Sequence, residues 1–200
     1  MSLMDLTRIQ PLNDTEFDKL YAEKYREHSY IHWTPIEVAK AALDWLDITA
    51  ESKVLDIGSG VGKFCSLGAL LTNGQFTGVE KRRELVKVAK STIKNLELRN
   101  VQYVHSNITK VDFTQFNSFY YYNPFCEQIY ISGQIDNTIS YSPNKYRMYE
   151  DYVINQFSDL PIDTKVVTYC SQNFTFPDTY ELKGLLFDGT LALWIKTKEK

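Results

Sequence analysis

Short apolar runs alternate with longer amphipathic segments from residue 53 to the end of the chain. Five of the apolar runs have the length and the β-branched or aromatic content of buried strands. They span residues 53–57, 75–80, 101–105, 119–123 and 165–171. Helical spacing of apolar residues separates them, at 63–71, 82–97 and around 145–157. Strands that alternate with helices predict an α/β fold with a parallel sheet.

The last part of the chain has a different pattern. Two strand-like segments, 180–187 and 191–197, flank Asp188-Gly189, a dipeptide typical of a two-residue hairpin turn. The hairpin adds antiparallel strands at one edge, so we expect a doubly wound sheet of about seven strands. No repeat or linker interrupts the chain, and we expect residues 1–200 to form one domain.

The region before the first strand is predicted to be helical. Residues 13–29 carry apolar side chains at helical spacing, with Asn13 and Glu16 placed to cap the start. A second helix is predicted from the capping-box pattern Thr34-Pro35-Ile36-Glu37. Residues 1–50 are therefore expected to form a helical extension, which is a candidate lid over a site.

Composition narrows the function classes. A net charge of −3 gives no global attraction to nucleic acid or to anionic membranes. The three cysteines are widely spaced and predict neither a disulfide framework nor a zinc site, and no cluster of His and carboxylates indicates another metal. No run has transmembrane length and no signal-peptide core is present, so a cytoplasmic location is expected.

The most informative motif follows the first strand. This strand carries Asp56 and leads into three alternating glycines, Gly58, Gly60 and Gly62, before a helix begins. Glycine permits positive φ and lets backbone N–H groups approach a ligand closely. The next strand also ends on a carboxylate, Glu80. Together these features predict a nucleotide-type cofactor across the carboxyl ends of a parallel sheet.

The spacing of the glycines argues against a dinucleotide. The dinucleotide fingerprint requires its third glycine at position 63, where this chain has Lys63. Asp56 would repel a pyrophosphate, whereas it suits a cofactor with an ammonium or sulfonium group. Glu80 does not discriminate, because a ribose needs a carboxylate acceptor in either case.

The pattern Asp-x-Gly-x-Gly-x-Gly resembles motif I of class I S-adenosylmethionine (SAM)-dependent methyltransferases. The resemblance covers roughly residues 34–197 and implies a Rossmann-like sheet, SAM as cofactor and S-adenosylhomocysteine as product. By this resemblance the glycines and Asp56 would hold the methionine part, Glu80 the ribose and Asn107 the adenine. The implied cofactor-binding residues are Asp56, Gly58, Ser59, Gly60, Gly62, Glu80, Lys81, Asn107, Ile108 and Thr34.

A second motif follows the fourth strand. Asn123-Pro124-Phe125 resembles the (Asp/Asn/Ser)-Pro-Pro-(Tyr/Phe) motif of methyltransferases that act on nitrogen, and these three residues are the implied catalytic residues. The chain departs from that motif, since it has one proline, and Cys126 occupies the aromatic position. An ordinary strand end is the alternative interpretation of these residues.

The acceptor stays open at this level. The Gly-Ser-Gly-Val-Gly turn and the segment 72–80 are also similar, more loosely, to non-SET protein lysine methyltransferases. A protein lysine or a small-molecule amine is therefore the expected acceptor. Nucleic acid is less expected, because the basic positions of 82–97 fall opposite its apolar face and indicate a solvated surface. The alternatives are a protein of this fold that binds SAM or a partner without catalysis and, more remotely, an NAD-dependent oxidoreductase.

Overall fold

The computed structural model describes residues 13–200, and its centre is a seven-stranded sheet. The strand order is β3-β2-β1-β4-β5-β7-β6. The strands are β1 Lys53–Ile57, β2 Gln75–Glu80, β3 Val101–His105, β4 Ser118–Tyr122, β5 Lys165–Tyr169, β6 Tyr180–Leu186 and β7 Leu191–Lys196. Strands β1 to β5 are parallel, and β7 runs antiparallel to both β5 and β6. The predicted fold class is confirmed.

Helices cover both faces of the sheet. They are α1 Asp14–Asp18, α2 Glu23–Arg26, α3 Ser29–His32, α4 Ile36–Leu46, α5 Lys63–Leu71, α6 Arg83–Asn95 and α7 Pro143–Ser158. Helices α4, α5 and α6 contribute to the hydrophobic core on one face, whereas α7 contributes to the core on the other. The sheet is therefore enclosed between two cores.

The central strands are buried because both of their faces meet one of these cores. Phe119, Tyr120 and Tyr121 of β4 are 0–1% exposed, and their rings alternate between the two cores. Strand β1 behaves in the same way, with Leu55 in one core and Val54 in the other. Buried parallel strands of this kind need continuous apolar sequence, which explains why the strand pattern was visible in the sequence.

The N-terminal region differs from the prediction. Instead of one helix over 13–29, the chain forms the three short helices α1, α2 and α3. Asn13 caps α1 as predicted, since its side chain accepts a hydrogen bond from the Glu16 N–H at 3.0 Å. Asp18 at the end of α1 contacts Lys63 of α5 and Ser29 of α3, so partners outside the predicted helix hold the chain there. The first 12 residues of the predicted extension lie outside the described residues.

The capping box at Thr34 is wrong. The Thr34 hydroxyl lies 3.1 Å from the Tyr120 hydroxyl, and no side chain of its own segment caps α4. The Ile36 N–H instead donates to Asp14 at 3.0 Å, so a carboxylate distant in sequence satisfies the helix start.

The predicted Asp188-Gly189 turn lies within a longer connection, 187–190, in which Phe187 and Asp188 also have positive φ. Over residues 13–200, no helix is long and apolar enough to cross a membrane.

Candidate functional site

The glycine loop connects β1 to α5 at the carboxyl edge of the sheet. Gly58, Gly60 and Gly62 have φ values of 78°, 55° and 81°, which side chains rarely adopt. Packing also requires these glycines, since a Cβ at Gly58 would lie 2.5 Å from the Pro124 Cβ and one at Gly60 would lie 2.6 Å from the Trp33 ring. The loop is thus held between the end of β4 and the N-terminal region.

Glu80 links the loop to the next strand. Its carboxylate accepts hydrogen bonds from the Gly60 N–H at 3.1 Å and from the Arg82 N–H at 2.7 Å. Burial raises the pKa of this carboxyl group, while the same N–H groups and the Arg82 guanidinium act in the opposite direction. Each oxygen of Glu80 has one hydrogen bond from the chain and keeps a lone pair for a ligand.

Glu80 faces a cavity that contains about 510 Å³ of empty space, here called the Glu80 cavity. The structure brings six further predicted residues to it: Gly58, Lys81, Asn107, Ile108, Pro124 and Phe125. The side-chain oxygen of Asn107, predicted to contact an adenine, already accepts hydrogen bonds from the N–H and hydroxyl of Thr109, both at 3.1 Å.

Asp56 faces a second cavity, of about 300 Å³, here called the Asp56 cavity. Three more predicted residues, Thr34, Gly58 and Ser59, line it together with Asp56. Gly58 belongs to both cavities, so they meet at the glycine loop. The Ser59 hydroxyl is buried and has no hydrogen-bond partner among the described residues, which leaves a polar group available to a ligand.

The Asp56 carboxyl group is only 4% exposed. Burial, together with the nearby Glu80 carboxylate, raises the pKa of Asp56 to about 7, although a hydrogen bond from the Cys65 thiol opposes this shift. Such a carboxyl group gains from a cation placed beside it, because the cation compensates the cost of burying a charge. The Asp56 cavity therefore suits an ammonium or sulfonium group.

Asn123 lies apart from the other predicted residues. It lines a third cavity, here called the Asn123 cavity, on the other side of the β4 backbone from the Asp56 cavity. Its φ is 37°, and its N–H donates to the Ser171 hydroxyl at 3.0 Å. The three residues of the predicted transfer motif thus divide between two cavities, with Pro124 and Phe125 in the Glu80 cavity.

The N-terminal region forms one wall of the site. His32 and Trp33 line the Asp56 cavity, and the Trp33 indole donates to the Tyr25 carbonyl at 2.8 Å. His32 Nε2 lies 2.6 Å from the Gly133 carbonyl oxygen, and burial lowers the pKa of its imidazole. Trp33 belongs to the segment that the sequence predicts as a lid, but nothing local in the sequence indicates that its ring packs on Gly60.

Arg82 is a second residue that the sequence did not single out. Its guanidinium pairs with Glu127 and, at 3.1 Å, with Asp136, and both belong to the long connection between β4 and α7. Glu127 also accepts from the Ile135 N–H at 3.1 Å. These contacts hold residues 127–139 beside the Glu80 cavity. The partners are far apart in sequence, which is why no motif indicated the network.

The described residues 13–200 contain no group of three His, Cys, Asp or Glu side chains placed to hold a metal ion. What the site offers instead is a set of backbone N–H groups, two buried carboxyl groups and aromatic walls. Those features match a nucleoside with a charged extension.

Comparisons with known proteins show similarity to methyltransferases. The sequence profile of the protein-L-isoaspartate(D-aspartate) O-methyltransferase family matches residues 22–119, just under half of the chain. A curated relative is the 23S rRNA (uracil(1939)-C(5))-methyltransferase RlmD of Haemophilus ducreyi, 36% identical over 74 residues. That match covers 37% of this chain and 16% of the relative, so the chain spans less than a fifth of the length of that enzyme.

Solved structures show the same fold. An RNA methyltransferase from Salinibacter ruber, in complex with S-adenosyl-L-homocysteine, matches with a TM-score of 0.60 at 20% identity, covering 84% of this chain and 95% of that one. The chain has the class I methyltransferase fold. TrmN from Thermus thermophilus shares this methyltransferase fold, with a TM-score of 0.59 at 12% identity and coverage of 86% and 51%. The predicted resemblance to SAM-dependent methyltransferases is confirmed.

Proposed function

We propose that this protein is a SAM-dependent methyltransferase that transfers the methyl group to a nitrogen atom. The observation that carries the proposal is the meeting of two cavities at Gly58, one with Glu80 and the other with the buried Asp56 carboxyl group. A nucleoside with a cationic amino-acid extension needs this pair of neighbouring environments.

The residues present fit SAM. The Ser59 hydroxyl and the Asp56 carboxylate would hold the methionine part. The hydroxyl has no hydrogen-bond partner among the described residues, and the buried carboxylate would be stabilised by the cationic groups of the ligand. Glu80 would accept hydrogen bonds from the ribose hydroxyls, and Asn107 and Ile108 would contact the adenine. Lys81 and Thr34 complete the proposed walls of the two cavities.

The chemistry requires alignment more than reactive side chains. Bound SAM supplies a methyl group that is activated by its sulfonium, and the nucleophile must approach in line with the bond that breaks. The protein excludes water by packing Trp33 on the glycine loop and by holding residues 127–139 beside the Glu80 cavity. We propose that residues 13–34 act as the lid expected from the sequence.

Nitrogen is favoured by the position of Asn123. Its two neighbours in sequence, Tyr122 and Pro124, line the Asp56 cavity and the Glu80 cavity respectively. The side-chain amide of Asn123 makes no hydrogen bond to another described residue, so its oxygen can accept one from an acceptor amine. Pro124 packs closely against Gly58 of the glycine loop, which restricts the position of the adjacent Asn123 relative to that loop.

A nucleic-acid acceptor is the second candidate. One relative named above is an rRNA methyltransferase and one similar structure is an RNA methyltransferase, and both favour an RNA acceptor. The net charge of −3 argues against it. The matched segments are short or distant, so they support this acceptor class without selecting it.

Thermal unfolding in the presence of SAM, S-adenosylhomocysteine or NAD tests the donor. A ligand at one hundred times its dissociation constant stabilises the folded state by about 2.7 kcal/mol. For a chain of this size, that raises the melting temperature by roughly 5–10 °C. We expect this shift with SAM and S-adenosylhomocysteine, and none with NAD.

The variant Glu80→Gln should reduce the shift, whereas Glu97→Gln, an exposed glutamate after α6, should leave it unchanged. A shift produced by NAD alone would disprove the proposal.

Transfer of a radiolabelled methyl group to protein, RNA or small-molecule fractions then identifies the acceptor class. Cofactor binding without any transfer, unaffected by Asn123→Ala, would instead support a binding protein without catalytic activity.

A further inference from the structure

The Asn123 cavity is small and has an unusual lining. Four aromatic residues line it, and Glu150 supplies the only carboxyl group among its described lining residues. The aromatic residues are Tyr121, Tyr130, Tyr146 and Phe174. They come from the end of β4, the connection after it, α7 and the segment after β5, so four separate parts of the fold converge here.

Glu150 is positioned by one of these tyrosines. The Tyr146 hydroxyl donates to Glu150 Oε1 at 2.6 Å, one turn away on α7. No described residue donates a hydrogen bond to the second oxygen, Oε2, which leaves it available to a ligand. Burial raises the pKa of Glu150, so this carboxyl group is a better proton acceptor than an exposed one.

The lining selects for positive charge. Aromatic ring faces attract ammonium groups, and a half-buried carboxylate gains from a cation partner. Among the described residues, no lysine or arginine lines the Asn123 cavity, so none of them would neutralise the phosphates of a nucleic acid there. An aliphatic ammonium group therefore suits the cavity better than a nucleotide does.

The cavity is also next to the proposed donor site. Asn123 lines it, and the residues on either side of Asn123 line the two cavities proposed for SAM. Ser171 lines it too and accepts the Asn123 N–H, which fixes this short segment between the cavities.

We propose that the Asn123 cavity is the acceptor site for an aliphatic amine and that Glu150 binds its ammonium group and removes the proton. This inference rests on the proposed function. One proton passes from the ammonium group to the Glu150 carboxylate, which frees the nitrogen lone pair. The nitrogen then forms a bond to the methyl carbon while the carbon–sulfur bond breaks, and its electron pair stays on sulfur. The Asn123 oxygen accepts a hydrogen bond from the amine and orients it.

A lysine side chain and a polyamine present the same chemistry, and direct binding separates them. The full-length protein, saturated with S-adenosylhomocysteine, is titrated calorimetrically with Nα-acetyl-lysine methylamide, with spermidine and with guanosine monophosphate. We expect one of the two amines to bind and the nucleotide not to bind. Glu150→Gln should weaken amine binding at least tenfold. Glu97→Gln, an exposed glutamate after α6, should leave amine binding unchanged.

The pH dependence of transfer tests the proton acceptor. In the wild-type protein, methylation of the amine should already proceed at neutral pH, because Glu150 removes the proton. In Glu150→Gln, the amine must lose its proton to solvent, so the rate should rise only as pH approaches about 10.4, the ordinary value for an alkyl ammonium group. A variant that is merely misfolded would be inactive both at neutral pH and at a pH of about 10.4.

Three results would overturn the inference. Failure of S-adenosylhomocysteine to bind the wild-type protein would remove the donor site and the acceptor site together. Cofactor binding without binding of either amine would overturn the acceptor site alone. Transfer of the methyl group to RNA, with no transfer to amines and no effect of Glu150→Gln, would leave the proposed methyltransferase intact and show that its acceptor is a nucleic acid.

Discussion

Asp56 and Glu80 end neighbouring strands, yet their surroundings differ. Glu80 receives two backbone hydrogen bonds, which favour its charged form. Among the described residues, Asp56 has only the Cys65 thiol as a donor, at 3.5 Å. Two carboxyl groups of similar burial are thus prepared for different tasks, since one is an acceptor for hydroxyl groups and the other can take up charge when a cation arrives.

The affinity for SAM should therefore depend on pH through Asp56. With a pKa of about 7, this group is mostly protonated at pH 6 and mostly ionised at pH 8. Binding of the cationic methionine part should become roughly tenfold tighter over this interval. Calorimetric titration of wild type and Asp56→Asn at both pH values checks this. An equal pH dependence in the variant would assign the effect to the ligand.

The same group predicts how stability changes with pH in the absence of ligand. The pKa of Asp56 is higher in the folded state than its ordinary value of 3.8, so its contribution to stability is greatest at low pH. That contribution should be lost as pH rises through about 7. Denaturant unfolding should show a smaller loss between pH 5 and pH 8 for Asp56→Asn than for the wild type.

Single residues were predicted from the sequence where backbone geometry or charge restricts the choice. The glycine spacing and the carboxylates at strand ends indicated the residues that now line the Glu80 and Asp56 cavities. Glu150, Arg82 and Trp33 were not predicted, because each acts through partners distant in sequence. Tertiary contacts of that kind leave no local pattern.

At the scale of elements, the N-terminal helices depend on one buried cation. Lys63 at the start of α5 is 2% exposed, and its ammonium group lies 2.6 Å from Asp14 and 2.7 Å from Asp18 of α1. Asp14 also caps α4 through the Ile36 N–H. A single lysine therefore connects the glycine loop to the elements that form the wall of the site.

Removal of this lysine should break the contact between α1 and α5. Lys63→Ala leaves Asp18 buried without its cation, and breaking a buried pair in this way costs about 3–5 kcal/mol. Hydrogen exchange should show faster opening of residues 13–34 than of β1. Lys40→Ala breaks an exposed pair with Glu37 and should have little effect on either. Equal exchange rates in the two variants would contradict this role of Lys63.

The boundaries of strands were predicted more accurately than those of the N-terminal helices. Strands β1, β2 and β3 lie where the apolar runs indicated. Both faces of β1 and β2 are covered by the protein, whereas β3 at the edge of the sheet keeps one face exposed. Residues 13–34 fold as they do because of Lys63 and the Trp33 indole, and neither partner lies within that segment's own helical pattern.

The whole molecule has one hydrophobic core on each face of the sheet. Phe157 of α7 is fully buried in the core that supports the Asn123 cavity, and it contacts Phe113, Phe119 and Phe174. Phe174 also lines the cavity, so the packing around α7 determines the shape of the proposed acceptor site.

Phe157→Ala should destabilise the whole protein by about 3–5 kcal/mol, because it leaves a large void in this core. Met148→Ala, an exposed position on the same helix, should cost far less. Chemical denaturation provides the comparison. Saturating SAM should restore up to about 2.7 kcal/mol of the lost stability if the donor site survives. If SAM restores no stability, the void in this core has also abolished SAM binding.

Strand β4 lies between the two proposed binding sites. Tyr120 faces the Asp56 cavity, and the next residue, Tyr121, faces the Asn123 cavity. The Glu80 cavity and the Asn123 cavity both border α7, through Tyr149 and Tyr146 respectively. The proposed donor and acceptor would therefore meet where β4 ends, and a shift of this one helix would change both sites at once.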